Sequence, residues 1–478
     1  MDNVPSCSSD NETNDRNQVN DSVCLLQKGI ESLNDNDFDT AVSQFKKILE
    51  EEEENFTAWF YLGQTRLKMN QIEKALKAFI RALKVYPDNA EILMWQGFTY
   101  EKLNEKNKAK ECFEKVIELQ PENAQAYCQI GLYYSEKEQY ELAMEYFIMA
   151  NKINPKDAAI YINLGSSYEI LGEDEKAIEY YKTALEIDPL DASAWFLLGM
   201  LYIDSIDNRF CSSDRDLYPE IFSSNQEKIE LAKKSFETAI NLKPDFVSAI
   251  LNLGILLFKE EIFCFKRDNN PTSNAIPNTT CGFIQAEKSF LRVLELDDSN
   301  PESHYYLGLI AAEKGFHQKA IEHFEHAVEN NGLNEEAYQN MAKSFIEIDE
   351  NELAIECLLK AFKLNNANFE IIYQLGFTYF LQAEYEKANK YFDMVIKIKP
   401  DYRDAYYFKA ISLVRLGKNS KAIKCFNLIL SLNPSDHFAI YQKGLIYLNK
   451  KERKKAMILM NQAKELGNQD ADGFIMEN

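Results

Sequence analysis

Residues 55–89 read NFTAWFYLGQTRLKMNQIEKALKAFIRALKVYPDN, and this stretch decides the fold. Trp59, Leu62, Ala75 and Phe79 are spaced as one face of a helix spaces its residues, as are Leu132, Tyr133, Ala143, Phe147 and Ala150 further on; a strand would alternate every second residue. Asn55 and Asn89 each precede a helical run, and asparagine is a preferred N-cap because its side-chain oxygen accepts from an open N–H of the first turn. Pro87 cannot continue the helix before it. The stretch predicts two helices, a short turn between them and a fresh start after Asn89.

The same pattern returns along the chain with a period of 34: Gly63, Gly97, Gly131, Gly165 and Gly199, then Gly308, Ala342, Gly376, Ala410 and Gly444. Twelve residues behind most of these stand Ala75, Ala109, Ala143, Ala177, Ala320, Ala354, Ala388, Ala422 and Ala456. A large apolar residue follows each alanine by four, as at Phe79, Phe113, Phe147, Tyr181, Phe324 and Phe392, and prolines such as Pro121, Pro155, Pro189, Pro244, Pro400 and Pro434 close many units. Asn123, Asp157, Asp191, Asn300, Asn334, Asn368 and Asp436 repeat the cap. Glycine inside a helix costs about 1 kcal/mol against alanine, so its persistence predicts a helix crossing too close for a side chain. A hairpin of this kind cannot bury its apolar face alone, so neighbours must stack.

Trp59-Phe60-Tyr61-Leu62-Gly63, with Trp195, Leu198, Gly199 and Tyr202 in a later unit, resembles the tetratricopeptide repeat, W-x2-L-G-x2-Y, then A-x3-F, then P. The resemblance implies an all-α, right-handed α-solenoid superhelix of about twelve helix-turn-helix units over residues 22–470, with residues 1–21 a disordered polar tail and 471–478 a C-terminal tail. Two units are long. The Gly199–Ala232 and Gly254–Ala286 separations predict insert loops near 205–226 and 264–284 on one edge of the stack. Their aromatics, Phe210, Tyr218, Phe222 and Phe265, are candidate partner anchors. Phe474, Ile475 and Met476 are candidates to cover the last unit.

Lys and Arg total 53 against 76 Asp and Glu, a formal net charge of -23, and such a field repels phosphate backbones and anionic membranes. The expectation is therefore no nucleic-acid and no membrane partner. The 9 cysteines are scattered without a CxxC pair, which reads as a reducing, cytoplasmic compartment; the polar N-terminus lacks the apolar stretch of a signal peptide.

No phosphate loop, nucleophile elbow or HExxH occurs. Leu416-Gly417-Lys418 falls in a hairpin turn, and His323 and His326 are read as a solvated helix face, because Phe324 and Ala327 take its core places. Neither enzyme activity nor a cofactor or metal is expected. The resemblance implies that the first helix of each unit lines a concave surface through places 2, 5, 6, 9, 12 and 13. Those places supply a candidate groove of Phe60, Tyr61, Trp95, Phe98, Gln129, Asn163, Phe196, Asn252, Tyr305, Tyr306, Asn340, Tyr373, Gln374, Phe377, Tyr407 and Phe408. Rings bury partner side chains and amides both donate to and accept from a peptide backbone. The expected function is a non-catalytic protein–protein interaction scaffold that holds a peptide or helical segment of other proteins. The alternatives are a structural subunit of a large assembly and an accessory to a glycosyltransferase-type enzyme. The Lys/Asn clamp of the family's chaperone-tail binders is absent: Leu26, Phe60, Met94 and Cys128 occupy its lysine place.

Overall fold

The computed structural model describes residues 10–206, 218–268, 281–330 and 335–471, and every long element among them is a helix. The helices form two compact units, residues Met1–Ser212 with Asn225–Pro244, and residues Ser213–Ser224 with Asp245–Asn478. The first holds the pairs α1 (Asp10–Asn34) and α2 (Phe38–Glu51), α3 (Phe56–Lys68) and α4 (Ile72–Val85), α5 (Ala90–Lys102) and α6 (Lys106–Leu119), α7 (Ala124–Glu136) and α8 (Tyr140–Ile153), and α9 (Ala158–Ile170) and α10 (Asp174–Ile187). Its last pair is α11 (Ala192–Asp204) with the part of α12 (Tyr218–Leu242) that follows Asn225, where the backbone leaves the helical region at φ -122, ψ 18. The second holds α13 (Val247–Asp268) and α14 (Cys281–Leu296), α15 (Pro301–Glu313) and α16 (His317–Asn330), α17 (Glu335–Glu347) and α18 (Asn351–Leu364), α19 (Phe369–Leu381) and α20 (Tyr385–Ile398), α21 (Arg403–Arg415) and α22 (Asn419–Leu432), and α23 (His437–Asn449) and α24 (Arg453–Glu465). Within each unit a first helix packs on its second and the second on the next first helix, so each is an α-solenoid.

Local chemistry sets the boundaries. Asn55, Asn89, Asn123, Asp157, Asp191, Asn300, Asn368 and Asp436 all accept from a backbone N–H of the first turn they precede, while Asn334 lies outside the described residues. The turn inside a hairpin needs one residue in the left-handed region: Asn70 (φ 57), Asn104 (φ 60) and Gly172 (φ 75) fill it comfortably, whereas Ala383 (φ 59) does so at a cost. A second joint recurs at the fourth place of the first helix. Trp59 donates to the Glu53 carbonyl at 2.8 Å, Tyr161 to Pro155 at 3.3 Å and Trp195 to Pro189 at 3.0 Å. Each bond ties a first helix to the end of the preceding hairpin, which explains the tryptophan in the repeat pattern.

The glycine approach is real, and its partner is the aromatic ring sixteen residues on. A Cβ on Gly63, Gly97 or Gly131 would stand 2.6, 2.5 or 2.5 Å from Cε1 of Phe79, Phe113 or Phe147. These rings are among the most deeply buried side chains, each contributing roughly 1.5–3 kcal/mol by burial. The alanines, Ala75, Ala143, Ala177, Ala354 and Ala388 among them, are fully buried at the same crossing.

Two expectations change. Helix α1 starts at Asp10, inside the stretch 1–21 read as disordered; residues 10–21 hold neither glycine nor proline, so a helix once formed extends through them cheaply. The insertions are helical in part. Tyr218 and Phe222 lie on α12, whose Pro219 sits in the first turn where its missing N–H does no harm. Phe265 lies on α13, which runs on to Asp268 with no proline or glycine after Gly254. Phe210 lies outside the described residues, as do Phe474, Ile475 and Met476. The described end of the chain is closed by Asn468, which accepts from Ala471 N at 2.8 Å and donates to His437 Nδ1 at 3.1 Å, with Ala471 buried on Ile440 and Met460.

Candidate functional site

A cavity of about 790 Å³ lies in the second unit among the first helices α15, α17 and α19. Leu309, Ala312, Glu313, Glu336, Gln339, Asn340, Lys343, Glu347, Glu370, Tyr373 and Gln374 line it, and all of them occupy the places that the repeat numbering assigns to the inner face. His317, Glu335, Ser344, Asn368 and Tyr402 complete it. Two of its walls are fixed by hydrogen bonds between neighbouring units. Glu335 accepts from Asn365 at 3.1 Å and Asn368 at 2.8 Å. The Tyr305 hydroxyl donates to Glu336 at 3.0 Å and accepts from Asn340 at 3.3 Å. Burial pushes the Tyr373 hydroxyl well above the ordinary tyrosine range, with Asp404 adding to the shift, so the ring stays neutral.

Three polar atoms on this lining, Ser344 Oγ, Gln374 Oε1 and His317 Nδ1, are buried and have no hydrogen-bond partner. A buried polar atom left unpaired costs about 1–3 kcal/mol. The Ser344 hydroxyl is conspicuous against its equivalents: Thr65, Thr99, Ser167, Thr378 and Ser412 each donate to the carbonyl four residues back at 2.6–2.8 Å.

Of the groove candidates, Asn340, Tyr373 and Gln374 line this cavity. The other aromatics are drawn into packing between helices. Phe60 is buried, with its ring 6.2 Å from Phe79, and Tyr61 stacks on Phe45 at 5.9 Å. Trp95 meets Phe98 edge-on at 6.2 Å, and Phe98 leans on Phe113 at 5.6 Å. Phe196 packs on Phe236 at 6.0 Å. Tyr306 stacks on Phe290 at 5.1 Å and meets Phe258 at 5.4 Å, and Tyr305 rests on Phe324 at 6.0 Å. Phe408 stands at a crossing of rings, 5.0 Å from Phe377, 5.4 Å from Tyr407 and 6.4 Å from Tyr373. Among the amides, Asn163 donates to Cys128 Sγ at 3.4 Å, Asn252 to its own helix at Ser248, and Gln129 is half-buried. Large rings at these places fill the wedge between successive hairpins, which the sequence pattern alone does not separate from an open groove. The carboxylates Glu313, Glu336, Glu347 and Glu370 escaped the sequence reading, although reading charge at the inner places would have found them.

The remaining reactive side chains are held in other ways. His323 is not on a solvated face: its Nδ1 lies 3.2 Å from His304 Nδ1, and His304 Nε2 faces the Asp298 carbonyl at 3.2 Å. Donation from Nε2 leaves His304 Nδ1 as an acceptor, so His323 donates to it. Burial lowers the His304 pKa, and burial with the His304 contact lowers that of His323 to about 4. Burial pushes the Cys112, Cys128 and Cys357 thiols up to about 11, away from the thiolate that a nucleophile needs. Within the run Glu50 to Glu54, Glu52 is structural, accepting from Ser22 at 2.5 Å and Asn55 at 2.8 Å. No metal-holding group of three His, Cys, Asp or Glu occurs among the described residues, and none of their helices is long and apolar enough to cross a membrane.

Comparison with known proteins adds a family. The family model of the cytochrome c-type biogenesis protein H TPR domain matches residues 16–161. Tetratricopeptide repeat models match 158–190, 283–335, 335–368, 370–402, 404–436 and 439–469. The chain is 31% identical over 117 residues to the TPR repeat-containing protein MJ1428 of Methanocaldococcus jannaschii, covering 24% of this chain and 20% of that one. It is 25% identical over 195 residues to the protein O-mannosyl-transferase TMTC3 of Homo sapiens, covering 40% of this chain and 19% of that one. The chain thus spans about a fifth of the length of these curated relatives. Among solved structures, MamA is 25% identical over 36% of this chain and 94% of its own, with a TM-score of 0.33. YrrB, described as a TPR protein with an unusual peptide-binding site, is 24% identical over 43% of this chain and 95% of its own, with a TM-score of 0.32. The Cut9–Hcn1 hetero-tetramer of the APC/C is 14% identical, covers 94% of each chain and has a TM-score of 0.40.

Proposed function

The chain belongs to the tetratricopeptide repeat family, and from that premise we propose that it is a non-catalytic protein-interaction module that holds an extended segment of a partner in the α15–α17–α19 cavity. One observation carries the reading: a cavity of about 790 Å³ on the first-helix face gathers amides, a tyrosine ring and three buried polar atoms without partners. A peptide backbone supplies both donors and acceptors at short intervals, so it can satisfy these groups together. The fold leaves its second helices to close the core and its first helices to face the ligand. A likeness that spans 19% of the human O-mannosyl-transferase brings no transferase activity with it. The described thiols are free, Cys112, Cys357 and Cys425 being buried.

The test is affinity purification with mass spectrometry from the native cell, comparing the natural chain with Asn340→Ala plus Gln374→Ala. Removing Gln374 Oε1 deletes an unpaired buried acceptor, so that substitution does not weaken the fold through a lost bond. Partners retained at full yield by a variant of unchanged helicity would move the binding surface elsewhere.

A further inference from the structure

We infer that the α15–α17–α19 cavity recognises a cationic segment, and specifically the guanidinium of arginine on the bound chain. The inference rests on the binding role proposed for this cavity and adds the chemistry of its ligand. The lining carries Glu313, Glu335, Glu336, Glu347 and Glu370 against one lysine, Lys343. Part of that acidity has a local reason. Glu335 holds the Asn365 and Asn368 amides, and Glu335, Glu336 and Glu370 sit in first turns, where a carboxylate favours the helix dipole. Glu313 and Glu347 stand at the opposite helix ends. They end α15 and α17, whose last turns hold no basic residue, and a carboxylate there opposes the dipole. The same place is Lys68 in α3 and Lys102 in α5, and it is also acidic in α7 (Glu136) and α11 (Asp204), outside this cavity.

A second, independent observation points to a ligand. Ser344 is 1% exposed, and its hydroxyl lines the cavity with no partner, although five equivalent hydroxyls bond their own helix. Gln374 Oε1, also buried and unpartnered, is an acceptor and nothing else. Carboxylates, an amide oxygen and a hydroxyl together make an acceptor-rich cavity, and the complementary ligand is donor-rich and positive. A guanidinium offers five N–H donors in a plane and is more weakly hydrated than an ammonium. The Tyr373 and Tyr402 rings on the same lining, 5.2 Å apart, give its flat face an aromatic surface to rest on.

The experiment uses the full chain and fluorescein-labelled peptides in which glycine alternates with arginine, lysine or glutamate, read by fluorescence anisotropy at about 150 mM salt, where distant surface charges are screened. The arginine peptide should bind saturably, the lysine peptide several-fold more weakly and the glutamate peptide not at all. Glu347→Gln with Glu370→Gln preserves shape and removes two charges; it should weaken arginine-peptide binding about tenfold or more. Glu50→Gln with Glu51→Gln on α2 changes the net charge equally and should leave binding unchanged. Equal weakening by both pairs would show mere attraction to a chain of net charge -23 and overturn the inference, as would lysine binding as tightly as arginine. If the arginine peptide fails to bind while native partners still depend on Asn340 and Gln374, the cavity holds a segment of different chemistry and only this inference falls.

Discussion

Replacing Gly131 with alanine measures the close approach on which each hairpin is built. The new Cβ would stand 2.5 Å from Phe147 Cε1, 2.7 Å from Cδ1 and 2.9 Å from Cζ, where ordinary contact begins at 3.4 Å, so the ring must retreat by about 0.9 Å. Phe147 is 1% exposed and packed against fully buried Ala143 and Ala150, which leaves it no room. Overpacking of this kind costs about 1–3 kcal/mol, and the better helix propensity of alanine returns about 1 kcal/mol. The net expectation is destabilisation of up to about 2 kcal/mol. Gly444 is the internal control, since its Cβ would meet the flexible end of Met460 at 3.1 Å, and Gly444→Ala should therefore be neutral or stabilising. Nature has solved the same problem with a smaller partner at Ala342, where Leu358 takes the ring's place. Gly131→Ala with Phe147→Leu should accordingly cost less than the sum of its parts. Ala410 opposite Phe426, both fully buried, belongs to a pair built around a methyl group from the start, and does not predict the cost of forcing one in. Hydrogen exchange read by mass spectrometry on peptides from 124–153 and 437–465 localises each effect, because a repeat array adds its stability unit by unit. Equal effects of the two alanines, in the same direction, would refute the reasoning.

Two further predictions follow from the backbone and the histidines. Ala383→Gly relieves a left-handed alanine (φ 59) that is exposed and loses no packing, so it should stabilise the α19–α20 hairpin by about 0.5–1 kcal/mol; slower exchange in peptides from 369–398 checks it, and faster exchange contradicts it. The His304–His323 pair has folded pKa values below the ordinary histidine value, so the unfolded chain binds more protons as pH drops. Its stabilising contribution is present above about pH 6.5 and is lost as pH falls toward the His323 value of about 4. A thermal midpoint that falls between about pH 7 and about pH 5, with a shallower fall in His323→Leu, is the expected result; identical slopes in both proteins would count against it.

The period of 34, the Asn and Asp caps, the prolines and the glycines settled the helical hairpins and their stacking before any coordinates, because each is a local signal repeated in register. Which places of the first helices face inward came from the resemblance to the repeat family alone. Which of those positions stay open was decided by tertiary packing. Tyr306, Phe377 and Phe408 are as large and apolar in the sequence as Tyr373, yet Tyr306 stacks on Phe290 and Phe377 closes on Phe408. The acidic cavity arises instead where Glu313, Glu347 and Glu370 from three separate helices converge. The His304–His323 contact likewise joins residues on the two helices of one pair. A single sequence states what each residue can bury or donate; which neighbour claims it depends on the distance between helices, and only the folded chain fixes that distance.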